Sequence, residues 1–338
     1  MSLLRLFKVQ KKWLNNRTLK TAVVLCISLV ITIAISLANG AVPLNVEEIW
    51  QALLHRGSAI NQTIVWELRL PRTLAALLVG AALGMAGALL QGMLRNGLAD
   101  PFLLGISAGA GLAAVSLLTL GLLLVWIPLF AWLGAVLTTA IVYGLAWTPS
   151  GLSIQRLILG GVAVSTFFGS ITSMLLLFSD ERVQTALSWL IGSLNNRGWQ
   201  EVNAVGLYIV IGLIAGCLLA RHLNLLSLGD ETAASLGVSL VRSRLLIGGI
   251  ATLLAAGAVS ISGLIGFVGL VVPHIIRLLV GNDYKWILPL SAIGGALLIV
   301  CADIIARIGA VELPVGVVTS LLGAPFFGWL LYRRSELT

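Results

Sequence analysis

Apolar residues run along this chain in long blocks, without the alternation of a strand or the single stripe of a surface helix. The first block is Thr21–Ala38, and others fall near 71–93, 102–120, 123–147, 155–178, 204–220, 244–262, 264–280, 286–305 and 315–332. Most approach the roughly 20 residues that carry a helix across about 30 Å of hydrocarbon. The pattern predicts an all-α, polytopic transmembrane bundle of about ten helices, built as one membrane domain over residues 1–338. Stretches 102–147 and 244–280 are nearly continuous, and Gly121, Pro128, Gly263 and Gly266 place their turns. Between the first two blocks, Asn45–Leu54 spaces Val46, Ile49, Trp50 and Leu53 as a short amphipathic helix at the membrane surface.

Composition agrees with the blocks: 59% of residues are hydrophobic and 10% charged, against about a quarter charged in soluble domains. No stretch is long enough for a separate soluble catalytic domain. The excess of 21 Lys+Arg over 13 Asp+Glu is scattered between apolar runs, which argues against nucleic acid and for a membrane topology. Residues 1–20 hold Arg5, Lys8, Lys11, Lys12, Arg17 and Lys20 and no acid. A basic start before an apolar run resembles a signal peptide, but the run exceeds the 7–15 residues of a signal core. It reads as a retained first helix behind a basic cytoplasmic segment. With that segment inside, Arg95, Arg156, Arg221, Arg242, Arg244, Arg277, Lys285, Arg333 and Arg334 also fall inside. Arg56, Arg69, Arg72, Arg182, Arg197 and Arg307 fall outside. Fifteen against six satisfies the positive-inside rule with both termini cytoplasmic.

Thirty-seven glycines are spread through the spans. Pairs such as Gly80/Gly84 and Gly212/Gly216 let helix backbones approach closely, and the density of Gly257, Gly263, Gly266 and Gly269 marks a flexible or broken helix. Cys26, Cys217 and Cys301 lie alone in apolar segments and form neither a disulfide framework nor a metal cluster. Gly105-Ile106-Ser107-Ala108-Gly109 fits the nucleophile-elbow pattern, yet that motif needs a strand–turn–helix with His and Asp partners. Here it opens an apolar helix. The phosphate loop GxxxxGK[ST] is absent. The chain is expected to bind no cofactor of its own, and an ATP-driven mechanism would require another subunit.

Charges near the spans are the remaining candidates for chemistry, because each is costly inside a bilayer. Asp303 and Arg307 are four residues apart near the outer end of the ninth span, spaced for an ion pair. Arg69 and Arg72 flank Pro71 at the outer start of the second span. The three arginines suit either structural anchoring or the receipt of carboxylates from a docking protein. The longest inner loop contains Leu228-Gly229-Asp230-Glu231-Thr232-Ala233-Ala234-Ser235-Leu236-Gly237-Val238. Asp230 or Thr232 would cap a short helix closed by Gly237, which is either a plain connector or a piece that enters a partner's cleft.

Long segments in a fixed order carry a resemblance. They are LRLPRTLAALLVGAALGMAGALLQ (68–91), RNGLADPFLLGISAGA (95–110), LGDETAASLGV (228–238), GLIGFVGLVVPHIIRLLVG (263–281) and ADIIARIGAVELPVGVVTSLLGAPFFGWLL (302–331). Together they resemble the FecCD/BtuC-type permease family of ABC importers for iron–siderophore, haem and cobalamin, over nearly the whole chain after residue 60. Gly97 departs from the family's usual Pro at that inner turn. The resemblance implies a type II importer permease in the bacterial cytoplasmic (inner) membrane. Its implied partners are a second permease subunit, identical or paralogous, two ATP-binding subunits that hold ATP and Mg, a periplasmic or lipid-anchored substrate-binding protein, and membrane lipid, with no nucleic acid. Arg69, Arg72 and Arg307 match positions that receive the binding protein's glutamates. Leu228, Gly229, Asp230, Glu231, Ala234, Leu236 and Gly237 match the coupling helix in the ATPase cleft. Ser153 and Ile154 resemble a cytoplasmic gate. A ferric siderophore is the expected cargo, moved by alternating access at the dimer interface.

Overall fold

The computed structural model describes residues 3–40, 42–149, 151–179, 182–309 and 311–335. Helix α1 (Leu3–Ala38) leads to a short α2 (Val46–Leu53) and a single turn, α3 (Ala59–Thr63). A π-helical stretch, Ile64–Arg69, continues directly into α4 (Leu70–Leu94). A 3-10 turn at Pro101–Leu104 precedes α5 (Ile106–Leu120), and another at Leu124–Trp126 precedes α6 (Ile127–Ala146). Two-residue strands β1 (Trp147–Thr148) and β2 (Gly151–Leu152) pair antiparallel. Then come α7 (Ile154–Leu177), α8 (Val183–Ile191), α9 (Trp199–Leu218), α10 (Ala220–Leu226) and α11 (Asp230–Ser235). Four further helices complete the fold: α12 (Leu240–Ser262), α13 (Val268–Val280), α14 (Tyr284–Ala306) and α15 (Val315–Ser335).

Seven of these segments are long and apolar enough to cross a membrane, and α5, α13 and Val315–Gly328 are shorter apolar helices. Together they occupy the ten blocks read from the sequence, and the chain is a multi-pass membrane protein. Helix α4 is its axis: 78% of its most apolar window is buried, against 17% for α1 and for α9. Lipid offers no hydrophobic drive for helices to associate, so close packing has to supply it. Small residues provide that here. A Cβ on Gly80 or Gly84 would stand 2.2 Å from the carbonyl oxygen of Gly295 or Ser291 on α14, so the two backbones touch. Gly212 and Gly216 serve differently. They receive the side chains of Leu254 and Met85, not a neighbouring backbone.

Three boundaries depart from the apolar pattern. The second span begins at Ala59 and runs through the π stretch. Pro71 has no N–H for an α-helical bond to the Glu67 carbonyl, and the wider π turns absorb the mismatch just before it. The eighth span is helical only from Val268, about 20 Å of helix at 1.5 Å per residue. Residues 263–267 are irregular, with Gly263 at φ 70° and Phe267 at φ 69°. Gly263 and Gly266 therefore do mark a break, while Gly257 and Gly269 are contact points under Tyr208 and Pro101. Non-helical backbone at membrane depth survives only where protein covers it. Here Ser193 N–H donates to the Ser262 carbonyl at 2.8 Å, and Gly316 N–H donates to Gly192 at 3.0 Å. The small hairpin at 147–152 is the third departure, a strand pair inside an otherwise helical chain.

Helix α2 forms where expected, with Glu48 accepting from Asn45 N–H at 2.7 Å. Its inward face differs from the predicted one. Ile49 and Ala52 are buried, while Val46 and Trp50 stay exposed. The pattern Gly105–Gly109 lies between a 3-10 turn and α5, with no strand before it. Gly109 packs against Gly134 and Thr138 of α6. A nucleophile elbow is excluded by that geometry.

Candidate functional site

Helix α4 carries charged groups at both of its ends, about 37 Å apart for its 25 residues. At its start, Arg69, Arg72 and Arg307 converge on one cavity of about 490 Å³, which Arg197, Glu67 and Glu312 also line. The sequence left the three arginines open between structural anchoring and docking. The structure shows each largely engaged by the bundle.

Helix α1 ends without a basic residue in its last turn, so its terminal carbonyls need donors from elsewhere. Arg69 supplies them, donating to Leu37 at 2.6 Å and Ala38 at 2.9 Å, and to Val42. Arg307 adds bonds to the Ser36 hydroxyl at 2.7 Å and the Asn39 carbonyl at 3.2 Å. Two arginines from distant helices thus cap a third. Arg72 instead forks onto Asp303 Oδ1 through Nε at 3.0 Å and Nη2 at 2.9 Å, and reaches Glu312 at 3.1 Å.

Asp303 also pairs with Arg307 at 3.0 Å, the four-residue pair read from the sequence, and its side chain is 0% exposed. Burial lowers the proton affinity of the Arg307 guanidinium, with Asp303 opposing that shift and Arg72 adding to it. The cluster holds a fixed carboxylate behind a rim that is richer in cations than in acids. Arg197 and Glu312 were missed by sequence reasoning: Glu312 sits inside the segment 302–331 and was readable there, whereas Arg197 entered only as one of the outer charges.

The opposite end is built around Asp230. Its carboxylate does not cap α11, as the sequence suggested; the N-cap is Gly229, without a side-chain bond. Asp230 is instead clasped by Arg244 at 2.7 Å and by Arg95 at 3.2 Å. Competition explains the change, since two guanidiniums from α12 and the end of α4 stabilise a carboxylate more than one amide does. The other end of α11 behaves as read. Gly237, at φ 82°, and Val238 donate to the Ala234 and Ala233 carbonyls, satisfying the last turn. Ala233 is buried, while Leu228, Glu231, Ala234, Leu236 and Gly237 face outward. Helix α11 is a short exposed rod fixed at one point.

Arg244 joins this rod to the hairpin. Its side chain is 9% exposed, and its second nitrogen donates to the Leu152 carbonyl at 3.2 Å. The next residues are Ser153, which accepts from Arg156 N–H at 3.4 Å as the N-cap of α7, and Ile154, which begins that helix. So Asp230 and the Ser153–Ile154 turn are connected through one guanidinium. Neither Arg95 nor Arg244 was singled out from the sequence. Arg95 sits inside the segment 95–110 and was readable there, whereas Arg244 carried no signal beyond its charge.

The chain matches the FecCD transport family over residues 28–333. It is 42% identical to the cobalamin import system permease protein BtuC of Halobacterium salinarum, over 81% of this chain and 74% of that protein. It is 40% identical to the Fe(3+) dicitrate transport system permease protein FecD of Escherichia coli K12, over 93% of this chain and 99% of that one. A metal-chelate type ABC transporter solved in an inward-facing conformation superposes with a TM-score of 0.84 at 33% identity, covering 91% of this chain and 97% of its own. With the matched segment covering nearly all ten spans, the chain belongs to the FecCD transport family.

Proposed function

We propose that this chain is the permease subunit of an ATP-driven importer that moves a ferric chelate, of siderophore type, across the cytoplasmic membrane. The observation that carries the reading is the Asp230–Arg244–Leu152 connection. A short outward-facing helix, fixed through one carboxylate and wired by one guanidinium to the turn that starts α7, suits a lever. ATP-binding subunits that grip Leu228–Gly237 would displace α11, and Arg244 would pass that displacement to Ser153 and Ile154 at the gate. ATP and Mg belong to those partner subunits. The solute passes between two permease subunits, identical or paralogous.

At the far end the arginine-lined cavity receives the periplasmic or lipid-anchored substrate-binding protein. Four arginines (Arg69, Arg72, Arg197, Arg307) against two glutamates (Glu67, Glu312) in its lining favour incoming carboxylates. The ferric-chelate cargo is supported by FecD, matched over almost its full length, and by the metal-chelate type transporter. Cobalamin is the second reading, favoured by the BtuC relative. An ion-coupled mechanism would need an embedded acid free to titrate, and Asp303 is held by two arginines.

The test is reconstitution with the ATP-binding subunits and the binding protein in vesicles. Arg244→Gln is expected to leave ATP hydrolysis running while uptake of labelled ferric chelate falls at least about tenfold, and Arg244→Lys should recover part of it. Uptake that persists with inactivated ATP-binding subunits overturns the importer. A panel of ferric siderophores, ferric citrate, haem and cobalamin decides the cargo.

A further inference from the structure

Near the Asp230 end lies a second cavity, about 350 Å³, between α10, the turn that follows α11 and the start of α12. Arg221, His222, Ser239, Arg242 and Ser243 line it beside Leu225, Leu246 and the end of the 228–238 segment (Leu236, Gly237, Val238), and no carboxylate does. This separates it from the other charged sites of the bundle. Arg244, two residues beyond Arg242, is neutralised by Asp230, whereas no ion pair forms at Arg221 or Arg242 among the described residues.

Two polar atoms at the cavity also lack partners. Most hydroxyls within these helices bond back to a carbonyl three or four residues earlier, as Thr252 does to Gly248 at 2.8 Å. Ser243 is 3% exposed, and its hydroxyl makes no hydrogen bond among the described residues. The Nδ1 of His222 is buried without a partner as well. The first turn of the 23-residue α12 adds the positive end of its dipole. All of these features ask for one anion.

The surroundings identify which anion. The cavity lies where α12 enters the apolar layer, and there Leu246, which lines it, and the adjacent Leu245 are 54% and 39% exposed. A phosphate seated there would carry acyl chains along these leucines. We propose that this cavity is a binding site for an anionic phospholipid of phosphatidylglycerol type. Arg221, Arg242 and the Ser243 hydroxyl meet its phosphate, and its chains cover Leu245 and Leu246. Basic pockets between spans on the cytoplasmic side are suited to such headgroups. Leu236 and Gly237 line the cavity and also end the segment assigned above to the ATP-binding subunits, so the lipid would sit at the edge of that contact.

The purified full-length chain in detergent, titrated separately with phosphatidylglycerol, phosphatidylcholine and inorganic phosphate, gives the test by native mass spectrometry and thermal unfolding. One phosphatidylglycerol should be retained and should raise the unfolding temperature, with phosphatidylcholine and phosphate far weaker. Each basic residue near an anionic headgroup contributes roughly fivefold, so Arg221→Gln with Arg242→Gln should weaken retention about thirtyfold. Arg156→Gln with Lys285→Gln, on the same side, should leave it unchanged. Equal retention of phosphatidylcholine, or phosphate binding as tight as the lipid's, overturns the proposal even if the double variant fails to fold. So does equal weakening by both double variants, which would mean diffuse attraction. Loss of the lipid on adding the ATP-binding subunits, with a cross-link from position 242 to them, would assign the cavity to that interface instead.

Discussion

Asp303 and Asp230 are each held by two arginines, yet the two clusters are opposite in kind. Asp303 is fully buried, and its partners Arg72 and Arg307 are 13% and 7% exposed. Asp230 is 35% exposed, and one of its partners, Arg95, is 39% exposed. The buried cluster ties α4, α14 and the end of α1 together through bonds that water cannot replace. The half-exposed cluster can open, because water can solvate its carboxylate while α11 moves. Similar residues thus make an anchor at one end and a clasp at the other, and burial makes the difference.

The comparison can be broken in three places. Asp303→Ala leaves buried Arg307 without its carboxylate partner and Arg72 with the half-exposed Glu312 alone, and breaking a buried pair by removing one member costs about 3–5 kcal/mol. Thermal unfolding in detergent should show this as the largest destabilisation of any single charge removal, and a neutral result would erase the anchor. Asp230→Asn should cost less than Asp303→Ala, because the Asp230 carboxylate is 35% exposed and water can replace it, although Arg244 is only 9% exposed. Its effect should appear in transport, where ATP hydrolysis continues and uptake falls. If both aspartates cost the same in stability, the distinction between anchor and clasp is lost. The smallest effect is ionic. At about 1 M salt the screening length falls to about 3 Å, so amide exchange in α11 should quicken while that at the end of α14 stays unchanged. Equal quickening at both would place the two clusters in the same class.

Much of the architecture was readable before any coordinates. Apolar runs must be long to cross lipid, so the ten spans appear as blocks, and Gly80 and Gly84 mark a close helix contact in advance. The four-residue spacing of Asp303 and Arg307 is local geometry and is equally legible. What escaped were pairings between helices. Arg69 looked like an exposed cation beside Pro71, and only packing reveals that α1 ends within its reach and lacks a donor of its own. Asp230 looked like a cap, because the arginines that claim it come from the end of α4 and the start of α12.

The resemblance in segment 228–238 covers Asp230 but not Arg244, the α12 arginine that pairs with it. Sequence alone determined the apolar spans and the positions of the charged candidates, since lipid solvation and local spacing act on neighbours along the chain. Tertiary structure alone decided which charges are sealed and which are free to move. That depends on helix register, set by backbone contacts such as Gly80 against Gly295, which bring residues more than two hundred positions apart, Arg72 and Asp303, within 3.0 Å.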